Sequence, residues 1–242
     1  MTKVQIKSTI PNKSNYVNQL FSKIAEKYDL LNNLMTFGLH NKWKEAAVKL
    51  ALKEINSPTN ALDLCSGTCD LAILLNKYSP DTDIICIDNC NNMLEIGKSK
   101  IEKLKLNNIS TQLKNTEELS FKPSSFDIIT IGFGLRNLVQ KEKLLEDVFN
   151  LLRNNGVFVC IDLGHPTNLI WKKVFFYYFF NVVPKLGQLF ANDREAYTYL
   201  PESLITYYKQ EELKDLILKK GFKKCFYKNI MSGAVAIHIA VR

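Results

Sequence analysis

The chain reads as an α/β protein built on a mostly parallel, seven-stranded, doubly wound sheet with an antiparallel edge strand. Three observations predict this. Short apolar runs alternate with segments of helical spacing, which is how a parallel sheet with crossover helices is written. Residues 59–78 give a strand, a tight small-residue turn and a helix, and the next strand ends about twenty residues on in the carboxylate of Asp88. The last two strand-like runs follow one another without a helix between them, as a hairpin does.

In chain order, residues 17–28 and 40–53 have helical spacing and precede the first strand. Residues 61–65 form a short apolar run suited to a strand buried on both faces. Ser66-Gly67-Thr68 then supplies a turn whose bare backbone can approach a ligand. Residues 70–78 follow as a helix with Leu71, Leu74 and Leu75 on one stripe, and 84–87 as a strand. A helix over 92–106, a strand over 110–114 and a strongly apolar strand over 126–133 come next. The amphipathic helix 141–153 leads through the turn Asn154-Asn155-Gly156 to a buried strand over 157–163. A helix over 210–220, capped by Gly221, precedes final strands over 222–229 and 234–241. The whole divides into a polar tail (1–15) and a single domain (16–242). Residues 16–58 are expected to form a helical lid, and 164–205 a substrate-side insertion.

The strand–turn–strand unit describes a pocket for a nucleoside. Asp88, at a strand end, can accept both hydroxyls of a ribose. A dinucleotide site wants G-x-G-x-x-G with a pyrophosphate on the helix N-terminus. Here Gly67 stands alone, with Cys69 and Ala72 where further glycines belong, and the helix opens on Asp70, which repels phosphate. S-adenosyl-L-methionine carries a ribose, an ammonium, a carboxylate and a sulfonium but no phosphate. These residues favour it over NAD.

Composition closes off other classes. The net charge is +8, yet the lysines lie beside glutamates, as in 100–105 and 211–220, and no arginine cluster or stacking-aromatic motif appears. No nucleic-acid partner is expected. Attraction to an anionic membrane surface, worth up to about 1 kcal/mol per nearby cation, remains open. No apolar run reaches the roughly 18 residues of a spanning helix. Six cysteines without a signal sequence point to free thiols in a reducing compartment, either cytoplasm or, given the lysine, asparagine and isoleucine excess, plastid stroma. Cys65, Cys69, Cys86 and Cys90 do not have zinc-site spacing, so no metal is expected.

Several ordered motifs carry a family resemblance. Residues 21–44 run from Phe21 through Tyr28-Asp29, Asn32, Met35, Gly38 and His40 to Trp43-Lys44. Gly132-Phe133-Gly134-Leu135-Arg136-Asn137 forms a second motif, and Ala191-Asn192-Asp193 through Tyr199-Leu200-Pro201-Glu202-Ser203 a third. Together they resemble the ubiquinone/menaquinone-biosynthesis C-methyltransferases over nearly the whole chain. The resemblance implies a class I, Rossmann-like methyltransferase fold and methyl transfer to a ring carbon of a prenylated quinol, giving a menaquinone-, phylloquinone- or ubiquinone-type product.

Carried over by position, Gly67, Thr68, Asp88, Asn115, Thr116 and Gly132 match the cofactor site, with Asn115-Thr116 at the adenine. Cys69 departs from the pattern, since the family has a second turn glycine there. Its Cβ is expected to crowd the cofactor. Tyr28, Asp29, Asn32 and His40 lie in the lid and are assigned to the substrate. Arg136 and Asn137 follow a buried strand at its C-terminal end, where ligands of open α/β sheets bind.

Carbon methylation requires loss of a phenolic proton. Arg136 is assigned to the developing phenolate and Asn137 to orienting the substrate or a water. The proton acceptor stays open among water, Asp29, Asp70 and His165. The aromatic stretch 169–183, ahead of Pro184, reads equally as a core helix or as the lining of a tail tunnel resting on a membrane. A homodimer is compatible with the sequence. Two competing readings are a methyltransferase for another apolar molecule, such as a sterol or phenol, and an inactive cofactor-binding scaffold, supported only by Cys69.

Overall fold

Why these residues fold as they do follows from where the apolar side chains go. The computed structural model describes residues 12–191 and 194–242, with residues 190, 191 and 194–196 described as backbone only. The polar tail therefore lies largely outside the described residues, as do Asn192 and Asp193 of the third motif. Strands β1 (Asn60–Leu64), β2 (Asp83–Asp88), β3 (Ile109–Leu113), β4 (Phe126–Gly132), β5 (Leu152–Leu163), β6 (Lys224–Ile230) and β7 (Val235–Val241) form one seven-stranded sheet in the order 3-2-1-4-5-7-6. β1 to β5 are parallel, and β1, β4 and β5 are almost wholly buried, as central strands covered on both faces must be. The antiparallel strand is β7. It sits between β5 and β6, so the edge strand β6 runs parallel to the rest.

Helices α3 (Asp70–Tyr78), α4 (Asn91–Lys103), α5 (Lys141–Leu151) and α9 (Gln210–Lys219) cover the sheet. One apolar layer joins α2 (Leu39–Ala51), α3 and α4 to one sheet face, and a second joins α5 and α9 to the other. Two sequence expectations change. The 154–156 turn is absorbed into β5 as a bulge: Leu152 pairs with Phe126 and Val157 with Ile128, with Asn155 left-handed at φ 62°. An Asn-Asn-Gly run tolerates that conformation wherever it falls, so composition alone cannot tell a bulge from a connecting turn. The helix expected over 17–28 runs as α1 (Lys13–Thr36), ending where Phe37 and Gly38 both take positive φ.

The expected insertion is helical. α6 (Leu169–Asn181) and α7 (Val183–Ala191) meet at Pro184 near the start of α7, and α8 (Arg194–Ile205) follows. A third apolar cluster joins α1 to this layer through Leu20, Ile24, Leu31, Met35, Phe179, Val183, Tyr197, Tyr199 and Leu204. The helical cap thus sits over the C-terminal ends of the strands.

Candidate active site

The site is two cavities that share a wall. The smaller is built by the β1–α3 turn and the end of β4, with Tyr28 and Lys44 closing it from the cap. Gly67 holds φ 53° there, a conformation that favours glycine, and donates its backbone N–H to Asp88 Oδ2 at 2.8 Å. Cys90 N–H donates to the other oxygen, Oδ1, also at 2.8 Å. Asp88 is thereby fixed rigidly at the end of β2 with lone pairs to spare. Burial raises its pKa while the backbone N–H groups oppose the shift. Gly132 lines the same pocket, and a Cβ on it would stand 2.6 Å from Leu71 Cδ1, so a larger residue there must push the Leu71 side chain aside.

Thr68 joins lid to turn. Its hydroxyl donates to Asp29 Oδ1 at 2.9 Å and accepts from Lys100 Nζ at 2.9 Å. Lys100 bridges Asp29 Oδ2 at 2.5 Å and Asp70 Oδ1 at 2.8 Å, and Lys44 pairs with Asp70 Oδ2 at 2.6 Å. Asp70 is held below its ordinary pKa because these two ammonium groups outweigh its burial. Asp29 and Asp70 are therefore committed counter-ions, which makes Asp70 a poor proton acceptor, and Asp29 grips the cofactor turn instead of lining the substrate cavity.

Sequence reasoning missed Asp63. It is a carboxylate inside an apolar strand, 1% exposed, with Oδ1 accepting from Thr130 at 2.5 Å and Oδ2 without a hydrogen-bond partner among the described residues. Burial pushes its pKa up to about 7. It lines the small pocket. An orphaned buried carboxylate asks for a cation, and a ligand ammonium or sulfonium meets that need. The signal was legible, because charges are rare in strands buried on both faces. The residues present thus fit S-adenosylmethionine: Asp88 for the ribose, Asp63 for the cationic end, Gly67 and Gly132 for close approach.

Other assigned residues stand nearby. The Asn115 side chain is spent on a local turn, with Oδ1 accepting from Glu117 N–H at 3.1 Å and Nδ2 donating to Glu118 at 2.9 Å. Thr116 is buried beside the Cys65 thiol. Cys69 does not crowd the pocket. Its side chain is fully buried and absent from the pocket lining, with its sulfur facing Gly97 and contacting Cys86.

The larger cavity, of about 320 Å³, lies between α1, α2 and α6 to α8 and is lined almost wholly by apolar side chains, among them Phe21, Ile24, Trp43, Phe175 and Phe179. It shares Tyr28, Lys44 and Phe133 with the small pocket. Polar groups are few. Asn32 and His40 line it as expected, and Trp171 has a buried Nε1 with no partner among the described residues.

Arg136 also lines it, and is 4% exposed. Its Nη1 donates to Asp162 Oδ1 at 2.6 Å and to Phe133 O, its backbone N–H donates to Asp162 Oδ2 at 3.1 Å, and its Nε donates to Ser203 at 3.3 Å. Nη2 has no partner among the described residues. The same guanidinium therefore closes the loop after β4 and offers a cationic edge to the cavity.

Asn137 does not line the cavity. Its Oδ1 accepts from Tyr199 Oη at 3.2 Å, and Tyr199 does line it, with burial pushing its phenol up to about 12. His165 is tied to Tyr207 O at 3.1 Å outside both cavities, which removes it as the proton acceptor. Its position in a loop after β5 gave no sign of that.

The comparisons agree with this geometry. The chain is 38% identical to the ubiquinone/menaquinone biosynthesis C-methyltransferase UbiE of Rickettsia prowazekii, covering 93% of this chain and 92% of that one. It is 38% identical to UbiE of Methylococcus capsulatus, covering 95% and 94%. Among solved structures it resembles a methyltransferase of Thermotoga maritima, described as S-adenosylmethionine-dependent and a possible histamine N-methyltransferase. The TM-score there is 0.66 at 14% identity, over 93% of this chain and 99% of that one. A second such methyltransferase, from Aquifex aeolicus, gives 0.58 at 16% identity over 80% and 88%. These two likenesses establish the class I methyltransferase fold. The description of the ubiE/COQ5 methyltransferase family matches residues 9–242, and the chain belongs to that family.

Proposed function

We propose that this enzyme uses S-adenosylmethionine to methylate a ring carbon of a prenylated quinol in ubiquinone or menaquinone biosynthesis. One observation carries the reading: an apolar cavity large enough for a ring and the start of a tail adjoins a polar pocket whose residues suit S-adenosylmethionine, with Tyr28, Lys44 and Phe133 lining both. When bound, S-adenosylmethionine supplies an electrophilic methyl group. Asp88 and Asp63 hold its ribose and cationic ends, and Gly67 and Gly132 let the backbone come close. Tyr28 and Phe133 wall off water between the two cavities. Arg136 Nη2 stabilises negative charge on the quinol oxygen as the ring carbon becomes nucleophilic. Asn137 acts through Tyr199.

The substrate's tail sets where the enzyme works. No described helix is long and apolar enough to cross a membrane. α6, however, is apolar on both sides. Phe175, Tyr178 and Phe179 face the cavity, while Leu169 (77% exposed), Ile170 (77%) and Tyr177 (69%) face outward with Lys173 among them. Phe37, 85% exposed at the joint of α1 and α2, adds to the same cap. A helix apolar on its outer face belongs at a lipid interface, so α6 rests on the bilayer holding the quinol, on its cytoplasmic or stromal side.

The test is calorimetric binding of S-adenosylmethionine, followed by turnover with demethyl-naphthoquinol and demethyl-benzoquinol in vesicles. Methylation of both or either supports the reading. Binding with turnover only on sterols or simple phenols overturns the substrate class, and binding without any turnover points to a scaffold.

A further inference from the structure

With Asp29 and Asp70 committed to ion pairs and His165 outside both cavities, water is what remains of the acceptors named above, and His40 offers a side chain in its place. Thr36 Oγ1 donates its single proton to Asn32 O at 2.6 Å. The contact between Thr36 Oγ1 and His40 Nδ1, 2.9 Å, must then run the other way, with Nδ1–H as donor. The neutral ring therefore carries its lone pair on Nε2, which has no hydrogen-bond partner among the described residues. His40 is 5% exposed and lines the apolar cavity one helical turn from Lys44, which lines both cavities.

We propose, resting on the quinol reading above, that His40 is a catalytic residue whose Nε2 takes the phenolic proton of the substrate. As the O–H bond breaks, its electron pair feeds the ring, and the ring carbon forms its bond to the methyl group as the methyl–sulfur bond breaks onto sulfur. The proton rests on Nε2. The methylated carbon then gives its own proton to water, that bonding pair restores the aromatic ring, and the oxygen recovers its proton from Nε2. One proton is released per turnover. Arg136, across the same cavity, holds the oxygen's charge while the proton is away.

The surroundings keep the ring ready. Burial, reinforced by the Lys44 ammonium, lowers the His40 pKa to about 4. The groups facing it are Lys44 on its own helix, Asp70 of α3, Asp29 of α1 and Lys100 of α4, two cations and two anions in mutual ion pairs. Arg136 and Tyr178 line the same cavity. The imidazole is thus a neutral acceptor throughout the physiological range. Its weak basicity suits a proton that becomes acidic only as carbon–carbon bond formation proceeds.

The test compares wild type, His40→Ala and His40→Gln on vesicle-borne demethyl-quinol, with S-adenosylmethionine binding measured by calorimetry and ring tautomers by nitrogen-detected NMR. Both variants should lose on the order of a hundredfold or more in kcat. KM and cofactor affinity should change little, and the wild-type spectrum should show Nδ1–H and a bare Nε2. If the alanine variant does not fold, the glutamine variant, which can accept a hydrogen bond but not the proton, decides. A folded variant with near-normal kcat, a loss confined to KM, or an Nε2–H tautomer overturns the role of His40 alone. A wild-type enzyme inert toward quinols overturns both this and the reading beneath it.

Discussion

The two cavities that meet at Tyr28, Lys44 and Phe133 are made by opposite means. The cofactor side is assembled from strand ends and one tight turn, and its groups are fixed by charge: Asp88 by two backbone N–H groups, Asp70 by two ammonium groups. The substrate side is assembled from helices, and nearly everything in it is apolar. The difference teaches that chemistry and capture are separately built here. Charges placed on a rigid sheet discriminate a small polar cofactor, whereas an adaptable helical lining accepts a long apolar tail. Arg136 and His40 are among the few polar groups held at the apolar side.

Arg136 offers the largest way to break that division. Replacing it with alanine leaves Asp162 buried without its partner and should cost about 3–5 kcal/mol of stability, read as a lower unfolding midpoint. The double change Arg136→Met with Asp162→Leu should recover much of that stability but not turnover. If it recovers both, the guanidinium is a loop brace and nothing more.

Next in size, Asp88→Ala should weaken S-adenosylmethionine binding by about 1.5–3 kcal/mol, the range for hydrogen bonds to a charged group. Unchanged calorimetric affinity in the folded variant would remove the ribose assignment.

Asp63 sharpens the same side through pH. Its folded pKa, raised to about 7, means the folded state holds a proton that the unfolded chain releases near the ordinary carboxylate value. Stability from this group is therefore present at low pH and is lost as pH rises through about 7. A cationic ligand wants the ionised form, so affinity should rise with pH up to about 7 and then level off. Binding at about pH 6 should release a proton, seen as a heat that depends on the buffer. Affinity flat across this range would mean that Asp63 does not meet the cation.

On the apolar side, Ile170→Asp and Tyr177→Asp should reduce sedimentation with anionic vesicles while leaving S-adenosylmethionine binding intact. Equal vesicle binding by the variants would place the bilayer contact elsewhere. The smallest effect belongs to Cys69→Gly. Relief of the left-handed backbone, about 0.5–1 kcal/mol, opposes the loss of a buried thiol, and cofactor affinity should stay the same. A marked affinity loss would show that the thiol shapes the pocket after all.

The same division explains what could be read in advance. Sheet elements announce themselves locally, because burial on both faces demands unbroken apolar runs, and Gly67 and Asp88 follow from those runs by position. The apolar cavity has no such local mark. Its wall comes from helices far apart in sequence, and motif resemblance supplied Tyr28, Asn32 and His40 where spacing could not. Asn137 is expected to orient the substrate or a water, but it ends a short 3-10 turn (Leu135–Asn137) and its Oδ1 accepts from Tyr199 instead. Lys44 and Lys100 are ordinary surface-helix lysines in the sequence. Only the packing of α2 and α4 against the turn turns them into counter-ions.

The placement of β7 has a consequence for how the protein is made. β5 lies in the middle of the sheet, yet one of its two neighbours is the strand at residues 235–241, while the other, β4, was finished long before. During synthesis, a long apolar edge therefore emerges and waits unpaired until nearly all of these residues have followed. The sheet closes only when β7 slots in and Arg242 N–H reaches Gly156 O at 3.0 Å beside the β5 bulge. A ribosome that stalls within the last strand leaves a chain with its cofactor turn already encoded but its central edge open to any passing strand.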